Sequence, residues 1–323
     1  MTHLTLPKSK LKLAFFGTPE IAASVLQSLI EADEDEIKVA VCQPDKKVGR
    51  KQKITAPAVK VLAQEHNIPV LQPRKMKDGS LAKAMAEYDI DLAIVIAYGR
   101  ILTTDTLAST KFGFWNLHTS ILPKFRGASP IHHALLAGEE QTGVSLMQMT
   151  EGCDEGPVME IAIVDISPRE DLSSLTEKLV KEAGVLIVQS LRKVKEEGLA
   201  VREQEHAAAT HAQLLSKSDG RIDFNKTSHE IDRQVRALNP WPGTYVPLSE
   251  GQNLKIHEAQ LCTHEGTATA GTILDTQSSL KVMTASGAIE FLSVQPPGKK
   301  RMSASDYLRG AGRHFKEGMV FGI

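Results

Sequence analysis

The chain has little cysteine, no long apolar run and almost no net charge. Its three cysteines, Cys42, Cys153 and Cys262, are odd in number and widely separated, which argues against a disulfide framework and favours reduced thiols in a cytoplasmic protein. The longest apolar stretch, residues 92–97 (LAIVIA), falls far short of the ~18 residues that indicate a membrane-spanning helix. We therefore expect no membrane partner.

Neither the charge nor the amino-terminal residues point to a special compartment. The formal net charge is −1, so a nucleic-acid partner would have to be bound by a local basic patch and not by the surface as a whole. The apolar residues 13–16 are followed by Gly17, Thr18 and Pro19, and this run is too short for the core of a signal peptide. We predict a cytoplasmic location.

Length and composition indicate two globular domains. The chain has 323 residues, of which 41% are hydrophobic and 24% charged, and globular domains of such composition usually contain ~100 to 200 residues. We predict a first domain at residues 1–200 and a second domain at residues 222–323. Residues 201–221 are polar and lack a sustained apolar period, so we interpret them as a linker.

Apolar periodicity predicts an α/β first domain and an antiparallel second domain. Short apolar runs at residues 11–16, 37–42, 92–97, 112–118 and 144–149 alternate with helical patterns, and a long helical pattern covers residues 172–197. Such alternation predicts a Rossmann-like parallel sheet with helices on both faces. Glycine and proline separate the later runs at residues 255–261, 271–274, 280–284 and 288–294, which indicates a small antiparallel β-barrel of the OB-like type.

Three polar side chains lie at or just beyond the ends of predicted strands. Asn116 and His118 end one strand, and Asp154 follows another. Ligands of parallel sheets bind beyond the carboxyl ends of the strands. An amide, an imidazole and a carboxylate can stabilise an oxyanion and move protons. With no cysteine or serine nucleophile among them, they suggest acyl transfer without a covalent enzyme intermediate. On residue type alone, an ordinary hydrogen-bonded histidine remains the open alternative.

The segment that follows His118 has the composition of a binding loop. Pro123, Gly127 and Pro130 interrupt residues 120–130 (SILPKFRGASP), so we expect neither a helix nor a sheet ladder there. The main-chain amides and carbonyls of such a loop are free to contact a polar ligand. This predicts that the loop contributes to the same site as the three polar side chains.

The motif around this loop resembles that of the folate-dependent formyltransferases and hydrolases. The family pattern H-x-S-L-L-P-x-x-R-G-A-x-P is present at residues 118–130, with Ile121 in place of the first leucine, and Asn116 and the G-x-D-x-G loop at residues 152–156 match the same family. Nearly the whole chain is similar to the methionyl-tRNA formyltransferase branch. The matching segments are residues 16–19 (FGTP), 43–45 (QPD), 97–99 (AYG), 239–242 (NPWP) and 295–300 (QPPGKK).

The resemblance implies a function for each motif. It implies transfer of a formyl group from 10-formyltetrahydrofolate to the α-amine of methionyl initiator tRNA, without a metal, by a protein that is a monomer. The implied catalytic residues are Asn116, His118 and Asp154. The implied folate-binding residues are Tyr98, Gly99, Ser120, Ile121, Leu122 and Pro123. The implied tRNA-binding residues are Lys46, Lys47, Arg50, Lys51, Lys53, Lys299 and Lys300.

The predicted tRNA contacts also have a physical basis. Five cations lie within the eight residues 46–53, with only Asp45 beside them, and Gly49 gives this segment room to bend. A basic loop close to the catalytic site could bind phosphates near the acceptor end of a tRNA. A solvated surface loop is the alternative reading of such a charge run, and the resemblance favours tRNA, with Arg50 as the main contact.

Other functions fit the sequence less well. Gly17 stands alone where a dinucleotide fingerprint would have three glycines. His257, Cys262 and His264 have no zinc-motif spacing. Two alternatives stay open within the resemblance: a formyltransferase acting on an amino sugar or another small amine, and a non-catalytic tRNA-binding relative.

Overall fold

The computed structural model describes residues 2–49, 52–248, 251–264, 266–277 and 279–321. The chain divides into two compact units. The first unit comprises Met1–Pro130, Gln141–Ile166 and Leu175–Gln213, and the second comprises Ile131–Glu140, Ser167–Ser174 and Leu214–Ile323. Two short segments, Ile131–Glu140 and Ser167–Ser174, therefore belong to the second unit although first-unit residues flank them in the sequence. The sequence pattern does not indicate this.

The elements follow one another in an order that alternates strands and helices before residue 200 and is dominated by strands after residue 240. They are β1 (Thr2–Leu4), β2 (Lys12–Phe16), α1 (Glu20–Ala32), β3 (Glu36–Val41), β4 (Lys46–Val48), β5 (Lys53–Thr55), α2 (Ala58–Glu65), β6 (Val70–Leu71), α3 (Ser80–Glu87), β7 (Leu92–Val95), α4 (Thr104–Leu107), β8 (Phe114–His118), β9 (Arg126–Gly127), α5 (Pro130–Ala137), β10 (Gln141–Gln148), β11 (Val158–Asp165), α6 (Leu172–Glu196), β12 (Leu199–Val201), β13 (His211–Ala212), α7 (Ser228–Leu238), β14 (Thr244–Pro247), β15 (Asn253–Cys262), β16 (Ile273–Asp275), β17 (Leu280–Met283), β18 (Ala288–Gln295), β19 (Met302–Ser303) and α8 (Ala304–Arg309). Short 3-10 helices cover His206–Ala208 and Lys217–Gly220.

The first β-α unit shows how the local sequence produces these elements. β2 is apolar and buried along nearly its whole length, as a central strand covered on both faces must be. The turn after it requires glycine, because a Cβ on Gly17 would lie 2.5 Å from the Cβ of Ala22. Helix α1 then begins at Glu20, whose carboxylate suits the positive end of a helix. Its apolar residues recur every three to four positions and form the buried face.

The sheet of the first unit is mostly parallel. Its strand order is β11-β10-β8-β7-β2-β3-β6, and the five strands from β8 to β6 run parallel to one another. The predicted α/β Rossmann-like class is confirmed. The strand predicted at residues 144–149 is present as β10, but it runs antiparallel to β8 and to β11. A parallel neighbour would need a crossover helix packed on this sheet, and α5, which precedes β10, belongs mainly to the second unit.

The second unit contains a curled antiparallel sheet, as predicted. Its strand order is β14-β15-β18-β17-β16, with β19 also paired to β18. A core of buried aliphatic and aromatic side chains, including Phe224, Ile256 and Phe291, lies on one face. Helix α7 begins with a capping box, in which the Thr227 and Glu230 side chains bond each other's main-chain amides. The sequence pattern did not reveal β14, β19 or α8.

Residues 201–221, which we interpreted as a linker, contain ordered short elements, and the boundary between the units follows Gln213. β13 lies in this segment and pairs in parallel with β9. The expectation that residues 120–130 contain no sheet ladder was therefore wrong at Arg126–Gly127. Gly127 permits the ladder because it has a φ of 114° and its Cα faces the Ala212 carbonyl without a side chain between them.

Helix α6 packs one apolar stripe into the first unit. The buried residues of this stripe are Leu175, Leu179, Ala183, Leu186, Ile187, Leu191 and Val194. Next to the stripe, Lys195 forms a salt bridge with Asp35 at 2.5 Å, and the two side chains are only 11% and 4% exposed. The main-chain amide of Leu11 donates to the same carboxylate. Among the described helices, none is long and apolar enough to cross a membrane.

We expect Lys195→Met to lower the free energy of unfolding by about 3 to 5 kcal/mol, because it leaves the Asp35 carboxylate buried without its cation. Urea denaturation followed by the fluorescence of the buried Trp115 measures the change. Lys193→Met is the matched control, because Lys193 lies on the same helix and pairs with Glu160 at a position that is 46% exposed. Equal losses in the two variants would contradict a special contribution of the buried pair.

Candidate active site

Strand β8 presents two of the predicted catalytic side chains on one face. Asn116 and His118 are two residues apart, so their side chains point to the same side of the sheet, and Trp115 and Leu117 point to the other. Both polar residues are nearly buried, with 9% and 6% exposure. β7 and β10 flank β8, so main-chain ladders on both edges hold the two side chains in place.

Asp154 reaches the same face from the connection between β10 and β11. Because β10 is antiparallel, Asp154 does not lie beyond the carboxyl end of a parallel strand, as we expected, but in a connection that folds back over β8. Its Oδ1 accepts from Asn116 Nδ2 at 3.4 Å, and its Oδ2 lies 3.5 Å from His118 Nδ1. The structure thus brings the three predicted catalytic side chains together around one carboxylate.

A main-chain hydrogen bond and the conformation of the connection help to fix this carboxylate. The main-chain amide of Gly127 donates to Asp154 Oδ2 at 2.8 Å, and Asp154 itself has a left-handed φ of 54°. The connection needs glycine at residue 156, where a Cβ would approach the Gln148 carbonyl oxygen to 1.9 Å. The glycines of the G-x-D-x-G pattern therefore include one that a close main-chain approach requires.

The orientation of the His118 ring defines which of its nitrogens faces Asp154. Its Nε2 lies 2.9 Å from the carbonyl oxygen of Phe125, and a carbonyl only accepts, so Nε2 carries a hydrogen. Nδ1 then faces the Asp154 carboxylate and can hold the proton that passes between imidazole and carboxylate. Phe125 has a left-handed φ of 59°. This conformation is energetically unfavourable for a residue other than glycine, and it accompanies the placement of the Phe125 carbonyl next to His118.

Gln204 and Arg126 support the Asp154 connection. The sequence analysis found Arg126 only as part of the motif at residues 118–130, without a role in the site, and it did not select Gln204. Gln204 Nε2 donates to the carbonyl oxygens of Asp154 at 2.9 Å and Gly156 at 2.7 Å. Gln204 Oε1 accepts from Nε and Nη2 of the buried Arg126 at 3.1 and 2.9 Å. Gln204 lies in the segment interpreted as a linker, where it matches no local pattern that would have identified it.

Hydrogen bonds to Ser145 fix the main chain of the predicted loop residues 120–123. Ser120 is fully buried and its Oγ donates to the Lys124 carbonyl at 2.6 Å. Ser145 Oγ donates to the Ser120 carbonyl and accepts from the Leu122 amide. Ile121 is partly exposed. Leu122 and Pro123 line a cavity of about 480 Å³ together with residues 158–161 and 202–205.

Tyr98 and Gly99 lie beside this site, but the Tyr98 ring faces the core. Burial raises the pKa of its hydroxyl to about 12, and the ring packs edge-on against Phe16. The main-chain carbonyls of Tyr98 and Gly99 accept from Gln43 Nε2 at 2.8 and 3.2 Å. Any contact that Tyr98 makes with a ligand at this edge would therefore come from its main chain.

An apolar side chain that the sequence analysis did not select stands next to these residues. Ile101 is 88% exposed, unusual for a large aliphatic side chain at the edge of a buried sheet. The loop that carries it is tied to the Asp154 connection, because Thr104 Oγ1 donates to Glu151 Oε1 at 2.8 Å.

The nearest thiol is poorly suited to nucleophilic catalysis. Cys153 Sγ lies 3.7 Å from Asp154 Oδ2, and partial burial and the adjacent Asp154 carboxylate raise the pKa of the thiol. A thiol with a raised pKa has little of the reactive thiolate. Together with the buried Ser120, this leaves the site with donors and a proton acceptor and supports chemistry without a covalent enzyme intermediate.

The predicted tRNA-binding residues fall into two groups. Lys46, Lys47 and Lys53 are exposed on the antiparallel pair β4–β5 in the first unit, whereas Arg50 and Lys51 lie outside the described residues. Lys299 and Lys300 are exposed in the second unit, where Gln295 Nε2 donates to the Lys299 carbonyl. In the described ranges, no group of three or more histidine, cysteine, aspartate and glutamate side chains is arranged to hold a metal ion.

We expect Gln204→Ala to destabilise the first unit by about 2 to 4 kcal/mol, because it removes a hydrogen-bond acceptor from a buried guanidinium and a donor from two carbonyls. Urea denaturation measures the loss, and hydrogen exchange at residues 152–156 should become faster. Gln141→Ala is the matched control, since Gln141 makes an exposed bond to Asp165. Unchanged exchange at residues 152–156 would contradict the supporting role of Gln204.

Comparison with known proteins finds matches over most of the chain. Residues 11–191 match the family model "Formyl transferase" and residues 214–312 match "Formyl transferase, C-terminal domain". A relative from Desulfotalea psychrophila, named methionyl-tRNA formyltransferase, is 37% identical over 94% of this chain and 94% of its own. One of the same name from Herpetosiphon aurantiacus is 38% identical over 93% of this chain and 98% of its own.

A solved structure shares the fold. It is an N-formyltransferase from Helicobacter canadensis in complex with folinic acid and dTDP-3-aminofucose, with a TM-score of 0.64 and 19% identity over 87% of this chain and 98% of that one. At this identity the match concerns the fold alone. The two family models and the relatives, which cover nearly the whole chain, show that the chain belongs to the formyl transferase family.

Proposed function

We propose that the protein transfers the formyl group of 10-formyltetrahydrofolate to the α-amine of methionyl initiator tRNA and so serves translation initiation. The observation that carries the proposal is the convergence of Asn116 and His118 on the Asp154 carboxylate, with no activated nucleophile beside them. The names of the relatives support the choice of acceptor.

The surroundings of the three side chains suit a folate. The exposed Ile101 offers an apolar surface for a flat aromatic ring. The chain after β7 is joined to the Asp154 connection by the hydrogen bond from Thr104 to Glu151. We place the formyl donor with its formyl group next to Asn116 and its remainder along residues 98–101 and 120–123.

Each of the three residues then has a role in the transfer. The acceptor amine forms a bond to the formyl carbon, and the bond from that carbon to the folate nitrogen breaks. Asn116 Nδ2 carries two hydrogens, and one remains for the carbonyl oxygen when the other bonds Asp154. The protonated His118 adds a positive charge near the same oxygen. Asp154 accepts the proton that the amine loses, and Nδ1 of the protonated His118 gives its proton to the departing nitrogen. Transfer of the proton from Asp154 to Nδ1 then restores the starting charges.

The acceptor is assigned from the basic hairpin, which we define as residues 46–55 with β4 and β5. Lys46, Lys47 and Lys53 are exposed there, and within the described chain none of them forms a salt bridge. Exposed cations without a carboxylate partner suit phosphates, whereas a small amine offers them no negative charge. The exposed Lys299 and Lys300 provide a second basic site on the other unit.

The decisive experiment measures transfer of labelled formyl from 10-formyltetrahydrofolate. The acceptors are charged initiator tRNA, charged elongator tRNA, free methionine and an amino sugar nucleotide. We expect transfer to initiator tRNA to exceed the others by orders of magnitude. Preferential labelling of the amino sugar would replace the acceptor in our proposal, and tRNA binding without any transfer would identify a non-catalytic relative.

We expect Asn116→Ala, His118→Ala and Asp154→Ala each to lower turnover by about 100- to 1,000-fold, because each removes a preorganised donor or the proton acceptor. Single-turnover rates with charged tRNA measure the effect. His66→Ala, which changes an exposed histidine of the same unit, serves as the control and should leave the rate unchanged. Near-normal rates in all three variants would refute the catalytic assignment.

We expect Arg50→Ala to raise the KM for charged tRNA and to make the salt dependence of kcat/KM less steep by about one unit of the log–log slope. The reason is the loss of one phosphate contact, and the KM for 10-formyltetrahydrofolate should not change. Arg192→Ala, on helix α6, removes an exposed arginine of the same unit as a control. A change confined to folate affinity would show that the hairpin is not a tRNA contact.

A further inference from the structure

A second group of exposed cations lies next to the basic hairpin. Arg74, Lys75 and Lys77 follow strand β6, and all three are exposed. Over the described ranges, none of the three forms a salt bridge. We call residues 74–77 the second basic segment. The sequence analysis did not select it, because three cations within four residues are common on protein surfaces.

The strand topology brings the two basic groups to one edge of the sheet. β3 and β6 are parallel neighbours, with Val41 opposite Leu71. The basic hairpin follows β3 and the second basic segment follows β6. Both therefore lie where the parallel strands have their carboxyl ends, which we call the carboxyl edge of the sheet. The catalytic residues Asn116 and His118 end β8, which is parallel to these strands. Two basic groups and the candidate active site therefore share one edge.

Side-chain amides connect the segments along this edge. Gln72 Nε2 donates to the Gln43 carbonyl and to Asp45 Oδ1, each at 2.8 Å, and Gln43 Nε2 donates in turn to the Tyr98 carbonyl. Lys60 pairs with Asp45 at 2.9 Å, which neutralises the carboxylate at the base of the hairpin. Arg100 Nη1 also donates to the Arg74 carbonyl at 3.1 Å. The residues just before the second basic segment are thus bonded to the residues just before the hairpin, and the segment itself is bonded to the loop after β7 through Arg74.

The spacing suits a nucleic-acid strand that ends at the active site. From β6 to β8 the sheet order is β6-β3-β2-β7-β8, which is four strand spacings or roughly 19 Å. A chain with a phosphate on every nucleotide can contact cations at several points over such a distance while its terminal amine lies at Asp154. A small amine substrate cannot reach both places.

We propose that Arg74, Lys75 and Lys77 bind phosphates of the acceptor tRNA and extend the contact of the basic hairpin along the carboxyl edge. This inference rests on the proposed function and names a further contact surface for the same partner. The contacts are to phosphate and not to bases, because flexible, exposed ammonium and guanidinium groups with no fixed partner neutralise charge without reading sequence. The segment therefore contributes affinity and salt sensitivity and leaves the chemical step unchanged.

The test is the triple variant Arg74→Gln/Lys75→Gln/Lys77→Gln, assayed for formyl transfer to charged initiator tRNA at several salt concentrations. We expect the KM for tRNA at ~150 mM salt to rise by about 10-fold. The slope of log kcat/KM against log salt should become less steep by about two. The kcat at saturating tRNA and the KM for 10-formyltetrahydrofolate should match those of the wild type.

A charge-matched control separates local contacts from global charge. Lys8→Gln/Lys83→Gln/Lys181→Gln removes the same three charges from exposed positions outside residues 46–55 and 74–77, and its KM and salt slope should stay close to wild type. Equal slopes in the two triple variants would overturn the inference alone, since the wild type would still formylate tRNA. Failure of the wild type to formylate tRNA would overturn the proposed function and this inference together.

Discussion

The candidate active site depends on Asp154, whose carboxylate and main chain are contacted by three other parts of the chain. Strand β8 contributes Asn116 and His118, the loop after it contributes the Gly127 amide, and the segment near residue 204 holds the Asp154 carbonyl. The Asp154 side chain is only 17% exposed, and a partly buried carboxylate is costly unless it has partners. Here the partners that satisfy its charge are also the groups that the proposed chemistry needs, so stability and function place the same demands on this residue.

Hydrogen bonds from more distant residues fix the main chain behind this carboxylate. Gln204 joins the carbonyls of the Asp154 connection to the buried guanidinium of Arg126. Strand β13 pairs with β9, which lies within the loop of residues 120–130. Left-handed main-chain conformations at Phe125 and Asp154 cost roughly 1 to 3 kcal/mol each, and these hydrogen bonds offset that cost. Preorganised donors stabilise developing charge without reorganising during the reaction.

The parallel strands of the sheet determine which loops of the first unit are neighbours. Parallel strands bring all their carboxyl ends to one edge, so loops that are far apart in sequence, after β3, β6, β7 and β8, become neighbours. One part of this edge carries amides and carboxylate around β8, and another carries exposed cations after β3 and β6. This separation of charge along one edge suits an anionic chain whose reactive end is an amine.

The sequence by itself determined the class of the fold, most of the strands and helices, and the three side chains that meet at the site. These features can be read from short stretches of sequence. Apolar periodicity shows which face of a single helix or strand is buried, and the motif at residues 118–130 is contiguous. Only the tertiary structure decided that β10 is antiparallel, that Arg126–Gly127 forms a ladder, and that Gln204 holds the Asp154 connection. Arg126 and Gln204 are 78 residues apart, and a hydrogen bond between distant segments leaves no periodic trace in either of them. The direction of a strand and the partner of a buried amide depend on how the chain returns through space, which no local pattern specifies.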